Sequence, residues 1–350
     1  MQVIDMDALR GESNQNEENK KAPENGTQNL DFIEIKDLSH LLKQRAKLRG
    51  EYKDRNWRES YYFNATDIKR QLSLITTIGI LPNKKRSSGF VIILDKNKIV
   101  MAKLLITGNI RLYETDRFSL KGLFYQVEGI DWKLHYKSNK CEFDLLFTPI
   151  NEFYSYNQEK DKKELGSFKS LATQHIEQAG IFQGSITVNG KKIRFGPSFG
   201  HRDHSWGIRN WSLVNNYWLF SCTFGEDRAF NLWRGTIGNK GFHKGYILDS
   251  GENIDIISSK FKGYYKSDKK EPKGCEILFI DENNKKHNVK CKVVSSVPIP
   301  LPGCIVYETI ARMEYDKYTG YGLLERHVHD RNPIHKIQCL NQIRKRRKGP

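Results

Sequence analysis

Along most of this chain apolar and polar positions alternate with a period of two, and turn residues interrupt the alternation at short intervals. The clearest run is Trp57–Asn64 (WRESYYFN). A strand here sets Trp57, Glu59, Tyr61 and Phe63 on one pleat face and Arg58, Ser60, Tyr62 and Asn64 on the other. Phe90–Leu94 and Ile99–Leu105 read as a hairpin around Asp95–Lys98. Asn189-Gly190 predicts a type I′ turn, because both residues tolerate φ > 0; pairing outward sets Ile186 opposite Ile193 and Gly184 opposite Phe195. Turn signals recur at Gly108-Asn109, Lys137–Lys140, Gly225–Asp227, Gly238-Asn239, Ser250–Asn253 and Asp281–Lys286. Val306–Arg326 reads as two more strands around Asp316–Gly320. Short strands at this spacing predict antiparallel sheets closed into barrels or sandwiches. A barrel of eight to ten strands uses roughly 130–160 residues, so the span 50–335 holds two.

Helical periodicity is scarce. Leu30–Lys47 predicts a short amphipathic helix, and Ser167–Gln178 another, with Ser167 as its cap and Phe168, Leu171, Ala172 and Ile176 on one face. Residues 1–29 are polar and net acidic and read as a disordered leader. The expected organisation is a leader and short helix over 1–49, one barrel over 50–195, a second over 196–335, and a frayed basic tail over 336–350.

Composition changes this picture little. Aromatics make up 11% of the 350 residues, which suits an all-β protein whose buried surface they supply. No apolar run is long enough for a transmembrane helix. The start of the chain has no basic-then-apolar signal, so a cytoplasmic protein is expected. The six cysteines are scattered without a CxxC pair, which supports neither a zinc knuckle nor a disulfide framework. The net charge of +17 is mostly lysine spread over turns, plus the compact run Arg344–Lys348. That run predicts peripheral contact with an anionic membrane. No recognisable nucleic-acid module accompanies the charge, so no specific nucleic-acid partner is expected.

Candidate chemistry concentrates in Gly200–Trp211 (GHRDHSWGIRNW). As a strand it sets His201, Asp203 and Ser205 on one face and Arg202, His204 and Trp206 on the other. His201 and His204 then point to opposite sides, so no metal is expected from this stretch. Ser205 lacks the Gly-x-Ser-x-Gly elbow of a hydrolase nucleophile. Acid–base chemistry remains: His204, His201 or Glu59 as proton donor, with Asp203 held ionised and orienting an imidazole. Arg202, Trp206, Arg209, Trp211, Trp218, Trp233 and Tyr61 are the candidate substrate-binding residues. The tryptophans would wall an apolar cavity and stabilise a developing cation. The same polar cluster could equally pin two sheets together.

His175–Gly180 (HIEQAG), the Asn189-Gly190 hairpin and Gly200–Trp211 together resemble the double-calycin superfamily. That group holds carotenoid 1,2-hydratases, AttH-like proteins and tocopherol-cyclase-like proteins, and the His-Ser-Trp-Gly signature is similar to that of a bacterial branch. Trp57–Asn64 and Gly320–Glu325 also resemble its pattern. Asn210 departs from it, standing where an aspartate is expected. The resemblance implies two tandem lipocalin-like barrels, a hydrophobic isoprenoid or polyketide-like ligand, and hydratase, cyclase or isomerase chemistry without a metal or organic cofactor. Two function classes follow: such an enzyme, or a non-catalytic carrier for a hydrophobic metabolite.

Overall fold

A computed structural model of the chain describes residues 54–96, 98–108, 117–156, 174–208, 214–301 and 303–348. The expected leader, the helix expected at Leu30–Lys47, and Arg209 and Trp211 lie outside the described residues.

The first sheet is formed by β1 (Trp57–Asp67), β2 (Leu72–Leu81), β3 (Arg86–Asp95), β4 (Lys98–Thr107), β5 (Arg117–Leu120), β6 (Leu123–Glu128), β7 (Asp131–Lys137), β8 (Cys141–Pro149), β9 (Tyr154–Ser155), β10 (Gln174–Val188) and β11 (Lys191–Ile208). Its order is β4-β3-β2-β1-β11-β10-β8-β7-β6-β5, with β9 on β10, and every pairing is antiparallel. The sheet curls until β5 lies against β2, β3 and β4. Phe118 of β5 then stacks on Tyr61 of β1 with ring centroids 4.2 Å apart. The second sheet is a closed barrel of β12 (Val214–Thr223), β13 (Arg228–Ile237), β14 (Lys240–Asp249), β15 (Glu252–Tyr265), β16 (Pro272–Asp281), β17 (Lys286–Leu301), β18 (Cys304–Tyr315) and β19 (Tyr318–His329), sealed by pairing of β19 with β12. Two tandem antiparallel barrels are therefore the architecture, one nearly closed and one closed.

The turn chemistry holds at its clearest point. Asn189 and Gly190 take φ of 50° and 80°, and Ile186 faces Ile193 and Gly184 faces Phe195. Three expectations are corrected. Gln174–Gln178 is the start of β10, not the end of a helix from Ser167; residues 157–173 lie outside the described set. Cross-strand pairing of this segment with β11 and β9 overrides its weak helical period. The chain beyond Asp330 does not fray: Pro333–Lys348 is a helix, α1. Asn332 Oδ1 accepts the Ile334 N–H at 2.9 Å with Pro333 opening the helix, and Cys339 is buried with Ile305 and Tyr307. Finally, β11 runs through 195/196, where the two barrels were expected to join, and stays in the first sheet to Ile208.

Pleat parity divides the buried residues into three compartments. Inside the first barrel lie Trp57, Tyr61, Phe63, Tyr125, Trp132, Phe147 and Phe182. Inside the second lie Trp218, Phe220, Phe230, Ile277, Phe279 and Met313. Between the two barrels runs a seam that includes Tyr62, Tyr154, Tyr156, Tyr217, Trp233, Tyr246 and Ile310. All six cysteines are buried and free. Among the described residues no helix is long and apolar enough to cross a membrane.

Candidate active site: two faces of one strand

β11 supplies both candidate sites, because its two faces look into different compartments. It pairs with β1 on one side and β10 on the other, so each β11 side chain has two cross-strand neighbours on its own face.

The face turned into the first barrel carries Arg202, His204 and Trp206. Tyr61 stands opposite His204 and Glu59 opposite Trp206. Glu59 Oε1 lies 2.9 Å from His204 Nε2 and accepts the Tyr61 hydroxyl at 2.7 Å. The His204 ring stacks on Tyr61 (4.2 Å, 13°) and packs against Trp206 at 4.5 Å. Glu59, Tyr61 and His204 are each wholly buried. Here a carboxyl group, a phenol and an imidazole hold one another inside an aromatic wall.

The opposite face carries His201, Asp203 and Ser205 into the seam. Ser205 Oγ meets Ser60 Oγ at 3.1 Å. His201 Nδ1 is 3.4 Å from Thr223 Oγ1 of the second barrel. Burial pushes the His201 imidazole down to about 3, so at neutral pH the ring is uncharged. Asp203 is half-buried. The imidazole beside it is His175, brought by β10 together with Glu177. His175 Nε2 is 2.8 Å from Glu177 Oε1, and one ligand atom from each of His175, Glu177 and Asp203 falls within 4.8 Å of the others. Such a donor set fits a divalent cation as well as a hydrogen-bonded network. The expectation of no metal considered β11 alone, whereas this trio draws two of its members, His175 and Glu177, from β10.

Across the seam the second barrel presents Glu308 and Glu325, directly opposed on β18 and β19. Tyr62, the cross-strand neighbour of Asp203 on β1, donates its hydroxyl to Glu308 Oε2 at 2.8 Å, and Tyr217 donates to Glu325. Burial, then the facing Glu325, holds the Glu308 carboxyl well above the usual carboxylate range. Burial likewise raises Glu177. Aromatic faces line the approach: Trp233 lies 4.9 Å from His175 and 5.5 Å from Tyr217, and His327 stacks on Tyr217. Tyr62 and Glu325 each keep 8% exposure, whereas Glu59 and His204 keep none.

Of the residues singled out in the sequence, the structure thus brings Glu59, Tyr61, Arg202, His204 and Trp206 together in the first barrel, and His201, Asp203 and Trp233 together in the seam. Trp218 points into the second barrel, stacked on Phe220. The tryptophans do not wall one cavity, because Trp218 and Trp233 occupy opposite pleat faces of their paired strands. Sequence reasoning missed Tyr62, His175, Glu177, Glu308 and Glu325 as members of one site. A signal existed for Glu308: it shares a pleat face with Val306 and Ile310, where a glutamate is out of place.

Residues 47–330 match the sequence profile of a family described as a domain of unknown function, DUF7064. No curated protein matches the sequence. Several solved structures share the fold. An AttH-like protein (NE1406) of Nitrosomonas europaea superposes with a TM-score of 0.58 at 11% identity, over 78% of this chain and 93% of its own. Kievitone hydratase of Nectria haematococca gives 0.56 at 13% identity, over 78% and 89%. CghA in complex with Sch210972 gives 0.59 at 10% identity, over 79% and 89%. At these identities the likeness is one of fold.

Proposed function

The chain belongs to the DUF7064 family, and from that footing and the double-barrel fold we propose a hydratase- or cyclase-type enzyme that protonates a hydrophobic small molecule in the seam between its barrels. The observation that carries this reading is the Glu308–Glu325 pair. Two carboxyl groups buried side by side do not both ionise, so one is neutral at pH 7 and can give up a proton. Glu308 is the donor in this scheme. Its proton adds to an alkene carbon of the substrate, the π pair forms the new C–H bond, and the cation left behind is stabilised by the faces of Trp233 and Tyr217. Attack by water, with its spare proton passed to Asp203, completes a hydration. Attack by a second alkene of the same substrate, followed by loss of a proton to Asp203, completes a cyclisation. Tyr62 positions the acid, and His175 with Glu177 positions Asp203.

The substrate class is that of the double-calycin resemblance, isoprenoid or polyketide-like. In this scheme Glu59 and His204 fix the wall behind the site and do not donate: both are fully buried and bonded to each other. The likeness to kievitone hydratase and the His-Ser-Trp-Gly stretch support the reading at the level of reaction type. The test is turnover of a polyene panel in D2O, with products read by mass spectrometry. Wild-type protein should place one deuterium on carbon, and Glu308→Gln should be slower by about 100-fold or more. Equal turnover by Glu308→Gln would end the assignment. A hydrophobic ligand retained and returned unaltered by wild-type protein would favour the carrier instead.

A further inference from the structure

The closed barrel has two unlike ends. One end carries the turns after β15 and β17 and the passage from β19 into α1. The β15–β16 turn is tied to the start of α1: Lys270 Nζ lies 2.6 Å from Asp330 Oδ2 and 2.8 Å from His335 Nδ1. The β17–β18 turn joins them, its Gly303 carbonyl accepting the Asp330 N–H at 2.9 Å. These bonds gather three segments, distant in sequence, into one corner. Three large apolar side chains are exposed there: Ile334 (61%), Ile337 (50%) and Leu301 (38%). Ile334 and Ile337, three positions apart, share the outer side of α1, while Cys339 and Ile343 pack inward. Single apolar residues scattered over a surface need no account, but a group of them does.

The same corner holds cations without matching acids. Asp330 and Glu271 are taken up by Lys270 and Lys266. Asp268 Oδ1 accepts the N–H groups of Lys270 and Glu271. Lys269, Lys273 and Arg331 are exposed, and among the described residues none of them is ion-paired. The opposite end of the barrel differs on both counts. There Asp249 pairs with Arg228 and Lys285, Asp316 adjoins Lys317, and none of the large exposed apolar residues lies in the turns. Apolar side chains flanked by unmatched cations fit a surface that is anionic above and apolar beneath. A nucleic acid would engage the cations and leave the isoleucines in water.

We propose that this end of the second barrel docks on an anionic lipid bilayer, with Leu301, Ile334 and Ile337 entering the headgroup layer and Lys269, Lys273 and Arg331 meeting lipid phosphates. The contact moves from the basic run Arg344–Lys348, where the sequence set it, to the start of the same helix. It lies outside the seam and stands whether or not Glu308 donates a proton.

The test is co-flotation of the full-length protein with vesicles of phosphatidylcholine alone or with about 30% phosphatidylglycerol, at about 0.1 M salt. Binding to the anionic vesicles should be tighter by about 10-fold or more. Ile334→Ser with Ile337→Ser should weaken it by about 10-fold, and so should Lys269→Glu with Lys273→Glu and Arg331→Glu. The matched reversal Lys84→Glu with Lys191→Glu and Lys192→Glu on the first barrel should leave the preference in place. All six cysteines are buried, so an environment-sensitive dye on a Gln338→Cys protein reports the corner alone, and its emission should move to the blue with anionic vesicles only. Equal binding to both vesicles, a preference that survives both corner variants, an equal loss from the first-barrel reversal or a dye that does not respond would each overturn the proposal. A protein that ignores vesicles and binds a short RNA duplex through the same three cations would assign the corner to nucleic acid instead. The readout is partition alone, so a protein inert toward every substrate still answers it.

Discussion

The two faces of β11 carry different kinds of polar group, and the difference separates structure from chemistry. On the barrel face Glu59, Tyr61 and His204 close on one another within 2.9 Å and have no exposure. On the seam face four acids gather at the inter-barrel boundary, Asp203 and Glu177 from one side and Glu308 and Glu325 from the other, and burial shifts Glu177 and Glu308 toward their neutral forms. A hydrogen-bonded polar unit inside an aromatic wall stabilises a pairing of strands. A set of carboxyl groups forced to share protons holds one ready to leave.

The largest effect on this comparison comes from breaking the Glu59–Tyr61–His204 unit. Glu59→Ala leaves the imidazole and the Tyr61 hydroxyl buried without their shared acceptor, and should cost about 3–5 kcal/mol in chemical denaturation. A loss below about 1 kcal/mol would mean that these bonds do not hold the strands together. Next is the pH dependence of stability, which the seam groups set from both sides. His201 and His327 are pushed down to about 3 and about 4 by burial, from an ordinary value near 6.5. In the unfolded chain each takes up its proton first as pH falls, so their contribution is complete above about 6.5 and is lost on acidification toward 4 and 3. Glu308 acts oppositely. Its raised value makes its contribution complete below about 4.5 and lost as pH rises through the folded value. Melting temperature against pH should therefore show a maximum, and Glu308→Gln should flatten its alkaline limb. An unchanged alkaline limb in that variant would remove Glu308 from the buried acid pair. The smallest effect is Ser205→Ala, which loses the contact with Ser60 and should cost about 1 kcal/mol while leaving turnover intact. Loss of turnover there would reopen a nucleophilic serine.

Much of this was legible in the chain. Alternation and turn residues gave the strands, Asn189-Gly190 gave a register correct to the residue, and the parity of His201–Trp206 sorted its side chains onto two faces correctly. The helix at Pro333 was not read, because its basic surface masked the Asn332–Pro333 start and the burial of Cys339. The metal-like trio was not read either, because His175 and Glu177 reach Asp203 only through the pairing of β10 with β11.

What the sequence determined by itself was local: which residues extend, where the chain reverses, and which side chains share a pleat face, all of which follow from backbone geometry over a few residues. Only the tertiary structure decided that one face of β11 looks into a barrel and the other onto a second barrel, and that Tyr62 and Glu308, 246 positions apart, share a hydrogen bond. The pairing of sheets depends on the sum of many weak contacts distant in the chain, and no short stretch carries that information.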